Sequence, residues 1–175
     1  MNIQFKARQS INSIILTILS HFIALTASYL LLLRDDLLKQ THQPPTTIKH
    51  VVVFMLLISF SLAFLLRPLH YKINKDAINI KKIIFTKKIR YDTIIEIKPI
   101  SYNNLAIDFR LFGSGGIWGY FGLYNSSYFG RIRMNATQLK NLVFIATSDK
   151  KIFVLSTEQP LEMIKQVKQH QLNTK

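Results

Sequence analysis

The chain has 175 residues, no cysteine, and a formal net charge of +14 at pH 7. The lack of cysteine excludes disulfide scaffolds, thiolate nucleophiles, CxxC redox chemistry and cysteine-based zinc sites. The positive charge predicts an anionic partner, such as nucleic acid or a membrane surface, or the charge bias that orients a membrane protein. Because 49% of the residues are hydrophobic, a disordered basic tail is excluded as well.

Two apolar stretches lie in the N-terminal part of the chain. Residues 11–33 contain no charged side chain and would span roughly 34 Å as a helix, enough for a bilayer core of ~30 Å. Residues 51–66 form a second uncharged run of about 24 Å, which needs its flanking residues or some bilayer thinning to cross. We therefore predict a transmembrane hairpin over residues 1–69, with helices over about 11–33 and 51–66 and an external loop over 34–50.

The two alternatives to membrane helices are the core helix of a soluble protein and a cleaved signal peptide. A core helix of a soluble protein usually carries a charged polar stripe, and neither run has one. A cleaved signal peptide would fit the basic Lys6 and Arg8, but the apolar run is too long and no A-x-A site follows it. His21 lies inside the first run, where it is either a functional ionisable group or a neutral side chain hydrogen-bonded across the hairpin.

The basic residues are distributed unevenly around the two apolar runs. Of the 23 Lys and Arg residues, 18 follow Leu66, and Lys6 and Arg8 precede the first run. The positive-inside rule therefore predicts that both termini are cytoplasmic and that the 34–50 loop is external.

After the second apolar run, apolar and polar residues alternate with a period of two, which indicates β-strands. About seven short strands are expected between 70 and 155, a number typical of a small barrel or sandwich. Asn74-Lys75-Asp76-Ala77 and Ser148-Asp149-Lys150 are predicted hairpin turns. A C-terminal helix follows, with Thr157 as N-cap, Pro160 in its first turn, and an apolar stripe that contains Leu161, Met163, Ile164 and Val167. The predicted fold class is an α+β membrane protein.

One segment also resembles a known family. Residues 112–122, FGSGGIWGYFG, are similar to the FGSGG-x-x-GYFG signature of bacterial pleckstrin-homology-like (PH-like) proteins. Residues 142–160, LVFIATSDKKIFVLSTEQP, resemble the paired strands and helix entry of that family, although relatives usually carry Gly at the position of Lys150. The resemblance covers about 70–170. It implies a PH-like domain over 70–175, a seven-stranded barrel or sandwich with a C-terminal helix, which in this family is often attached to N-terminal membrane helices. Together with the charge distribution, this predicts a multi-pass protein of the bacterial inner membrane whose PH-like domain is cytoplasmic. The resemblance implies no established ligand or reaction.

All six glycines of the chain lie between residues 113 and 130, among seven aromatic residues in 112–130. This glycine–aromatic segment could be an anion nest with aromatic walls, an aromatic belt at the membrane headgroups, or a strand connection packed by its own side chains. It is neither a Walker loop nor a dinucleotide fingerprint. The candidate ligand or partner residues are Phe112, Gly113, Gly115, Gly116, Trp118, Gly119, Tyr120, Phe121 and Gly122.

A basic stretch begins shortly after the second apolar run. Because Lys and Arg near an anionic leaflet are attracted to it, these residues are candidates for lipid headgroup binding. The alternative is that they only set topology and solubility. The PH-like resemblance implies headgroup binding near the first hairpin, at Lys72, Lys75, Lys81 and Lys82. Nucleic acid is not expected, since aromatic residues are not interleaved with the basic ones. The full candidate set is Lys72, Lys75, Lys81, Lys82, Lys87, Lys88 and Arg90.

The sequence shows no recognisable catalytic or metal-binding pattern. The histidines lack metal-ligand spacing, and neither HExxH nor G-x-S-x-G is present. We therefore expect no enzyme, no metal and no cofactor. The predicted function is a non-enzymatic, membrane-anchored binding or scaffolding module that contacts anionic lipids, a protein partner, or a second copy of itself. The alternative is a small-molecule or lipid-binding protein with its pocket in 112–130.

Overall fold

The computed structural model describes residues 3–7, 9–33 and 46–173. Most of the predicted external loop 34–50, Arg8 and residues 174–175 lie outside these described residues. In chain order the elements are β1 (Ile3–Lys6), α1 (Ile11–Leu33), α2 (Thr46–Leu66), β2 (Pro68–Ile73), β3 (Ala77–Lys82), β4 (Thr86–Arg90), β5 (Ile94–Ile100), β6 (Ile107–Gly116), β7 (Gly119–Ser126), β8 (Gly130–Ala136), β9 (Leu142–Thr147), β10 (Ile152–Ser156) and α3 (Pro160–Asn173).

Both apolar runs are helical, as predicted. The helix α1 begins after Ser10, whose hydroxyl accepts a hydrogen bond from the backbone N–H of Ser13 at 3.1 Å and so caps the helix. Within the described ranges one stretch, Ile11–Leu30, is long and apolar enough to span a membrane, and only 11% of it is buried. The second apolar helical stretch, His50–Leu66, is shorter. The low burial of α1 distinguishes it from the core helix of a soluble protein.

The described strands form two sheets rather than one seven-stranded barrel. The first sheet has four antiparallel strands in the order β1-β2-β3-β4, and the second has six in the order β5-β9-β10-β8-β7-β6. In the second sheet β8 and β10 are parallel, and the other neighbours are antiparallel. Two of the ten described strands have no counterpart in the sequence prediction, namely β1, which is only four residues long, and β7, which belongs to the glycine–aromatic segment.

The interior is filled by apolar side chains from both sheets and from α3. One cluster joins Tyr71, Ile78 and Ile80 of the first sheet to Met163 and Val167 of α3. Burying a large apolar side chain of this kind contributes ~1.5–3 kcal/mol.

The helix α3 contains Pro160 in its first turn, as predicted, but it begins at Pro160 itself and not directly after the predicted N-cap Thr157. The Thr157 hydroxyl instead accepts a hydrogen bond from the backbone N–H of Gln159 at 3.4 Å, before the helix begins. Leu161, however, is 70% exposed and does not belong to the buried stripe, because Met163, Ile164 and Val167 occupy the buried face.

A hydrogen bond joins the two sheets in the interior. The hydroxyl of the fully buried Tyr71, on β2, donates to the carbonyl oxygen of Asn135, on β8, at 2.6 Å. Burial raises the pKa of Tyr71, so that this hydroxyl stays protonated and remains a donor.

The two helices leave the first sheet from one end. Strand β1 ends where α1 follows, and β2 begins directly after α2; the two strands pair in register, with Lys6 opposite His70. Strand β3 returns to the same end, where Lys82 lies opposite Pro68. We call this end helix-proximal. The turn between β2 and β3 lies at the opposite end, roughly 20 Å away at about 3.3 Å per residue.

Candidate functional site

Most of the glycine–aromatic segment forms a β-hairpin, and not the strand connection that is one of its three interpretations from the sequence. Strands β6 and β7 pair from Ile107 opposite Ser126 to Gly116 opposite Gly119, and the tight turn between them contains Trp118. Trp118 adopts a positive φ of 58°. The hairpin therefore presents a narrow tip at residues 116–119.

Two of the glycines bring the hairpin strands unusually close together. Gly113 and Gly122 lie opposite each other in the register. A Cβ on Gly113 would overlap the carbonyl oxygen of Phe121, and a Cβ on Gly122 would overlap that of Phe112. Both residues also have positive φ, at 108° and 123°. These glycines are required by the backbone packing of the hairpin, without reference to a ligand.

The tip of the hairpin docks on the side of α1. The hydroxyl of Ser13 donates to the carbonyl oxygen of Gly116 at 2.6 Å, and the backbone N–H of Trp118 donates to Thr17 Oγ1 at 2.9 Å. The side-chain amide of Gln9 donates to the carbonyl oxygen of Trp118 at 3.1 Å. Since Ser13 and Thr17 are four residues apart, they lie on one face of α1. That face is the docking surface for the hairpin tip.

The indole of Trp118 lies between the two apolar helices. Its ring meets the rings of Phe64 on α2 and His21 on α1 edge to face, at centroid distances of 4.9 Å and 5.6 Å. The guanidinium of Arg67 lies 5.1 Å from the Trp118 ring centroid, a cation–π geometry. The Trp118 side chain is thus in contact with both α1 and α2. In the sequence, the feature that indicates this docking face is the four-residue spacing of the polar residues Ser13, Thr17 and His21 within an apolar run.

The register of the first sheet divides the basic candidates between its two faces, with Lys72, Lys81 and Lys88 together on the exposed face. Lys75 lies in the turn at the end opposite the helices, and Arg90 is ion-paired with Asp92. Lys82 and Lys87 differ from these five, because both line a cavity between the two sheets.

This cavity is the basic groove. It measures about 300 Å³ and is walled by Lys82, Lys87 and Arg133, with Phe85 and Phe112 as apolar members. An adjoining cavity of about 220 Å³ shares Lys87 and Arg133 and extends the groove to Lys151 and Phe153. Phe112 and Gly122 of the candidate segment thus line the same groove as the lysines. Arg133 was not among the sequence candidates, since only the packing of the two sheets brings β8 against β4.

Two cations of the groove share one aromatic ring. The Lys87 ammonium lies 4.9 Å and the Arg133 guanidinium 5.9 Å from the centroid of the Phe153 ring. Burial, followed by the charges of Arg133 and Lys151, lowers the pKa of Lys87, while Asp149 acts in the opposite direction. Asp149 is itself ion-paired with Lys151. The Lys87 ammonium and the Arg133 guanidinium, which are both positively charged, therefore lie close to the same Phe153 ring.

The most buried cation of the groove is Lys82, which is only 8% exposed. Burial, with a smaller contribution from Lys87, lowers its pKa to about 8. An anion bound in the groove would offset the repulsion among these cations and would favour the charged form of Lys82. The arrangement is suited to binding an anionic group. Among the described residues, no group of three or more His, Asp or Glu side chains could hold a metal ion.

Two packed β-sheets, a C-terminal helix and a basic groove between the sheets define a PH-like domain, a fold that fits a binding or scaffolding module. The chain belongs to the bacterial PH domain family, because the model of that family matches residues 69–171, more than half of the chain. The prediction that residues from about 70 to 170 belong to this family is thereby confirmed, whereas the match gives no information on the membrane anchoring or on the FGSGG signature. No curated protein and no solved structure matches the chain.

Proposed function

We propose that this protein is a non-enzymatic, membrane-anchored binding module that takes an anionic group into its basic groove at the inner face of the bacterial cytoplasmic membrane. The observation that carries the proposal is the groove itself, where Lys82, Lys87 and Arg133 converge between the sheets. Lys82 is buried, and Lys87 and Arg133 are partly buried. An anionic ligand stabilises cations in such surroundings, and Arg adds the fork geometry that matches phosphate oxygens.

The pairing of β1 with β2 supports a two-pass anchor. Because Lys6 lies opposite His70, both ends of the helical segment are held at the same end of one sheet. A chain that crosses the bilayer at α1 must therefore return through α2 to reach β2. The shorter His50–Leu66 stretch can span where the bilayer thins locally. The excess of basic residues after Leu66 then favours cytoplasmic termini.

The proposed ligand is the phosphate-bearing headgroup of an anionic lipid. Lys82 lies at the helix-proximal end of the first sheet, opposite Pro68, so the groove opens close to where α2 meets the domain. The membrane that anchors the module would then also supply its ligand. Nucleic acid is not the proposed ligand, because the cations of the groove converge inside a small cavity, whereas a nucleic acid backbone is bound along an extended basic surface.

Binding of soluble short-chain lipids to the full-length protein in detergent tests this function. We expect dihexanoyl-phosphatidylglycerol to bind and dihexanoyl-phosphatidylcholine to bind much more weakly, measured by isothermal titration calorimetry. Lys87→Met and Arg133→Met should each weaken the phosphatidylglycerol affinity by about tenfold or more, the loss of one charge-assisted hydrogen bond. Lys75→Met removes the same charge at the far turn and should leave the affinity unchanged. Equal losses in all three variants, or equal binding of both lipids, would contradict the proposal.

A second candidate is a pocket for an apolar small molecule or lipid chain. The observation that favours it is that Phe112 and Phe85 line the same groove as the cations. In that case Phe112→Ser would abolish binding of an apolar fluorescent probe, whereas Lys87→Met would not alter it. Binding that depends on Lys87 and not on Phe112 supports the headgroup function instead.

A protein partner, or a second copy of this chain, is the remaining possibility for a scaffolding role. Strand β6 is an edge of the six-stranded sheet and exposes Phe109, Leu111 and Phe112, at 55%, 48% and 64%. Such edges pair readily with another strand. Crosslinking of the protein in native membranes, compared between the original chain and Phe109→Lys, reports whether this edge is covered.

A further inference from the structure

The turn between β3 and β4 exposes three consecutive large apolar side chains. The backbone N–H of Lys82 donates to the carbonyl oxygen of Phe85 at 2.9 Å and closes the turn. Ile83, Ile84 and Phe85 are 36%, 59% and 42% exposed. Contiguous exposed apolar side chains of this kind mark an interaction site in a soluble domain. We call residues 83–85 the apolar turn.

The apolar turn lies at the same end of the sheet as the two helices. Strand β3 runs toward that end and places Lys82 opposite Pro68, the first residue of β2 after α2. The neighbouring Leu69 accepts a backbone hydrogen bond from Ala7, the residue that follows β1, at 3.2 Å. Both helices and the apolar turn are therefore joined to the same end of the first sheet, which is the end that a bilayer holding the helices would border.

Lysine pairs flank the apolar turn on both sides. Lys81 and Lys82 precede it, and Lys87 and Lys88 follow it after Thr86. Of these four, Lys81 and Lys88 are exposed to the surroundings, whereas Lys82 and Lys87 line the basic groove. Apolar side chains with basic neighbours match the bilayer interface, where the apolar part enters the acyl boundary and ammonium groups remain at anionic headgroups. This charge pattern, together with the continuity with α2, identifies an anionic lipid surface as the occupant of the turn.

We propose that Ile83, Ile84 and Phe85 insert into the interface of the anionic bilayer beside α2 and form a second, non-helical membrane contact of the domain. The proposal rests on the membrane anchorage put forward above. It deepens that function, because insertion of the turn holds Phe85 and Lys82, which both line the basic groove, at the level of the headgroups. The domain would then be held against the bilayer at the turn as well as through its helices.

Because the chain has no cysteine, a single introduced cysteine can be labelled specifically, and the depth of the label in the bilayer can be measured. The full-length Ile84→Cys variant is labelled with the environment-sensitive dye NBD and reconstituted into vesicles of phosphatidylcholine and phosphatidylglycerol. The matched control is Ile95→Cys, an isoleucine that is 72% exposed on β5 near the end opposite the helices. We expect blue-shifted emission and strong quenching by shallow doxyl-labelled lipids at position 84, and water-like, unquenched emission at position 95.

Equal, water-like emission at both positions would overturn the proposal. A blue shift at position 84 that grows with protein concentration and resists doxyl-lipid quenching would also overturn it, because a second copy of the chain would then cover the turn. Failure of the anchorage is recognised separately, since the unlabelled protein would not float with the vesicles in a density gradient. Failure of headgroup binding is seen in the short-chain lipid titration, which needs no insertion of the turn.

Discussion

The backbone N–H of Trp118 donates a hydrogen bond to Thr17 Oγ1 at 2.9 Å, so that a residue of the β-domain is bonded to a residue inside the apolar helix α1. Thr17 is only 5% exposed, and its own hydroxyl donates to the carbonyl oxygen of Ser13 at 2.7 Å. The Thr17 hydroxyl therefore acts as both donor and acceptor, and it connects helix and hairpin. The helices and the domain are one packed structure at this point.

Thr17→Val should loosen this connection. The isosteric valine removes the acceptor and leaves the Trp118 N–H without a partner, at a cost of about 1–3 kcal/mol. Trp118 is the single tryptophan of the chain, so its fluorescence reports on the site directly. We expect red-shifted emission and greater acrylamide quenching in detergent, and recovery in Thr17→Ser. Unchanged emission in Thr17→Val would show that the hydrogen bond does not hold the hairpin tip.

Gly122→Ala should strongly destabilise the β-domain. The added methyl group would overlap the carbonyl oxygen of Phe112 across the hairpin, and the positive φ of Gly122 adds strain, for a total of about 2 kcal/mol or more. Gly130→Ala is the control, because its φ is also positive, at 66°, but no atom lies within 4 Å of the new Cβ. It should cost about 1 kcal/mol. Chemical unfolding followed by circular dichroism measures both, and equal losses would contradict the close approach.

Lys150→Gly should stabilise the protein. Lys150 has a positive φ of 56° in the turn between β9 and β10, a conformation that costs a residue with a Cβ about 1 kcal/mol. Glycine removes this cost, although its greater freedom in the unfolded chain offsets part of the gain. Lys150→Ala keeps the strain and should show no gain in melting temperature. A lower melting temperature for Lys150→Gly than for Lys150→Ala would refute the argument.

Lys82→Met should stabilise the ligand-free protein near neutral pH while weakening its anion binding. Burial lowers the Lys82 pKa to about 8, so the folded state binds the proton less tightly than the unfolded state. The buried charge lowers the free energy of unfolding by its full amount below the folded-state pKa of about 8. This destabilisation disappears as the pH rises toward about 10.4, the pKa of lysine in the unfolded chain. We expect Met to gain about 1–2 kcal/mol at low pH, after allowance for solvent screening.

The gain from Lys82→Met should therefore shrink as the pH rises. Urea unfolding of both proteins at about pH 7 and about pH 10 measures the difference directly. Lys88→Met removes the same charge at an exposed position of β4 and is the matched control for the substitution itself. A gain that stays constant with pH would mean that Lys82 titrates as an ordinary exposed lysine.

Much of the β-domain could be predicted from the sequence because its strands alternate buried and exposed residues. The predicted turn at residues 74–77 is present, and the backbone N–H of Asn74 donates to the carbonyl oxygen of Ala77 at 3.0 Å. The paired runs around Asp149 form β9 and β10. Each of these features depends on neighbours in the chain, which a periodic pattern records.

The remainder depends on contacts between distant parts of the chain. Strand β1 is too short for its period to stand out, and glycines, which have no side chain, obscure the alternation of the β6–β7 hairpin. Arg133 joins the basic groove only because β8 packs near β4. The apolar turn is a short apolar run, and such runs do not reveal from sequence whether they are buried or exposed.

The position of strand β1 has a consequence for synthesis of the protein. The ribosome releases β1 first, then both apolar helices, and only afterwards β2, with which β1 pairs from Ile3 opposite Ile73 to Lys6 opposite His70. The first sheet therefore cannot be completed until both helices have been synthesised. Under the two-pass anchorage proposed above, its closure would follow membrane insertion, and a chain whose second helix failed to insert would leave β1 as an unpaired strand.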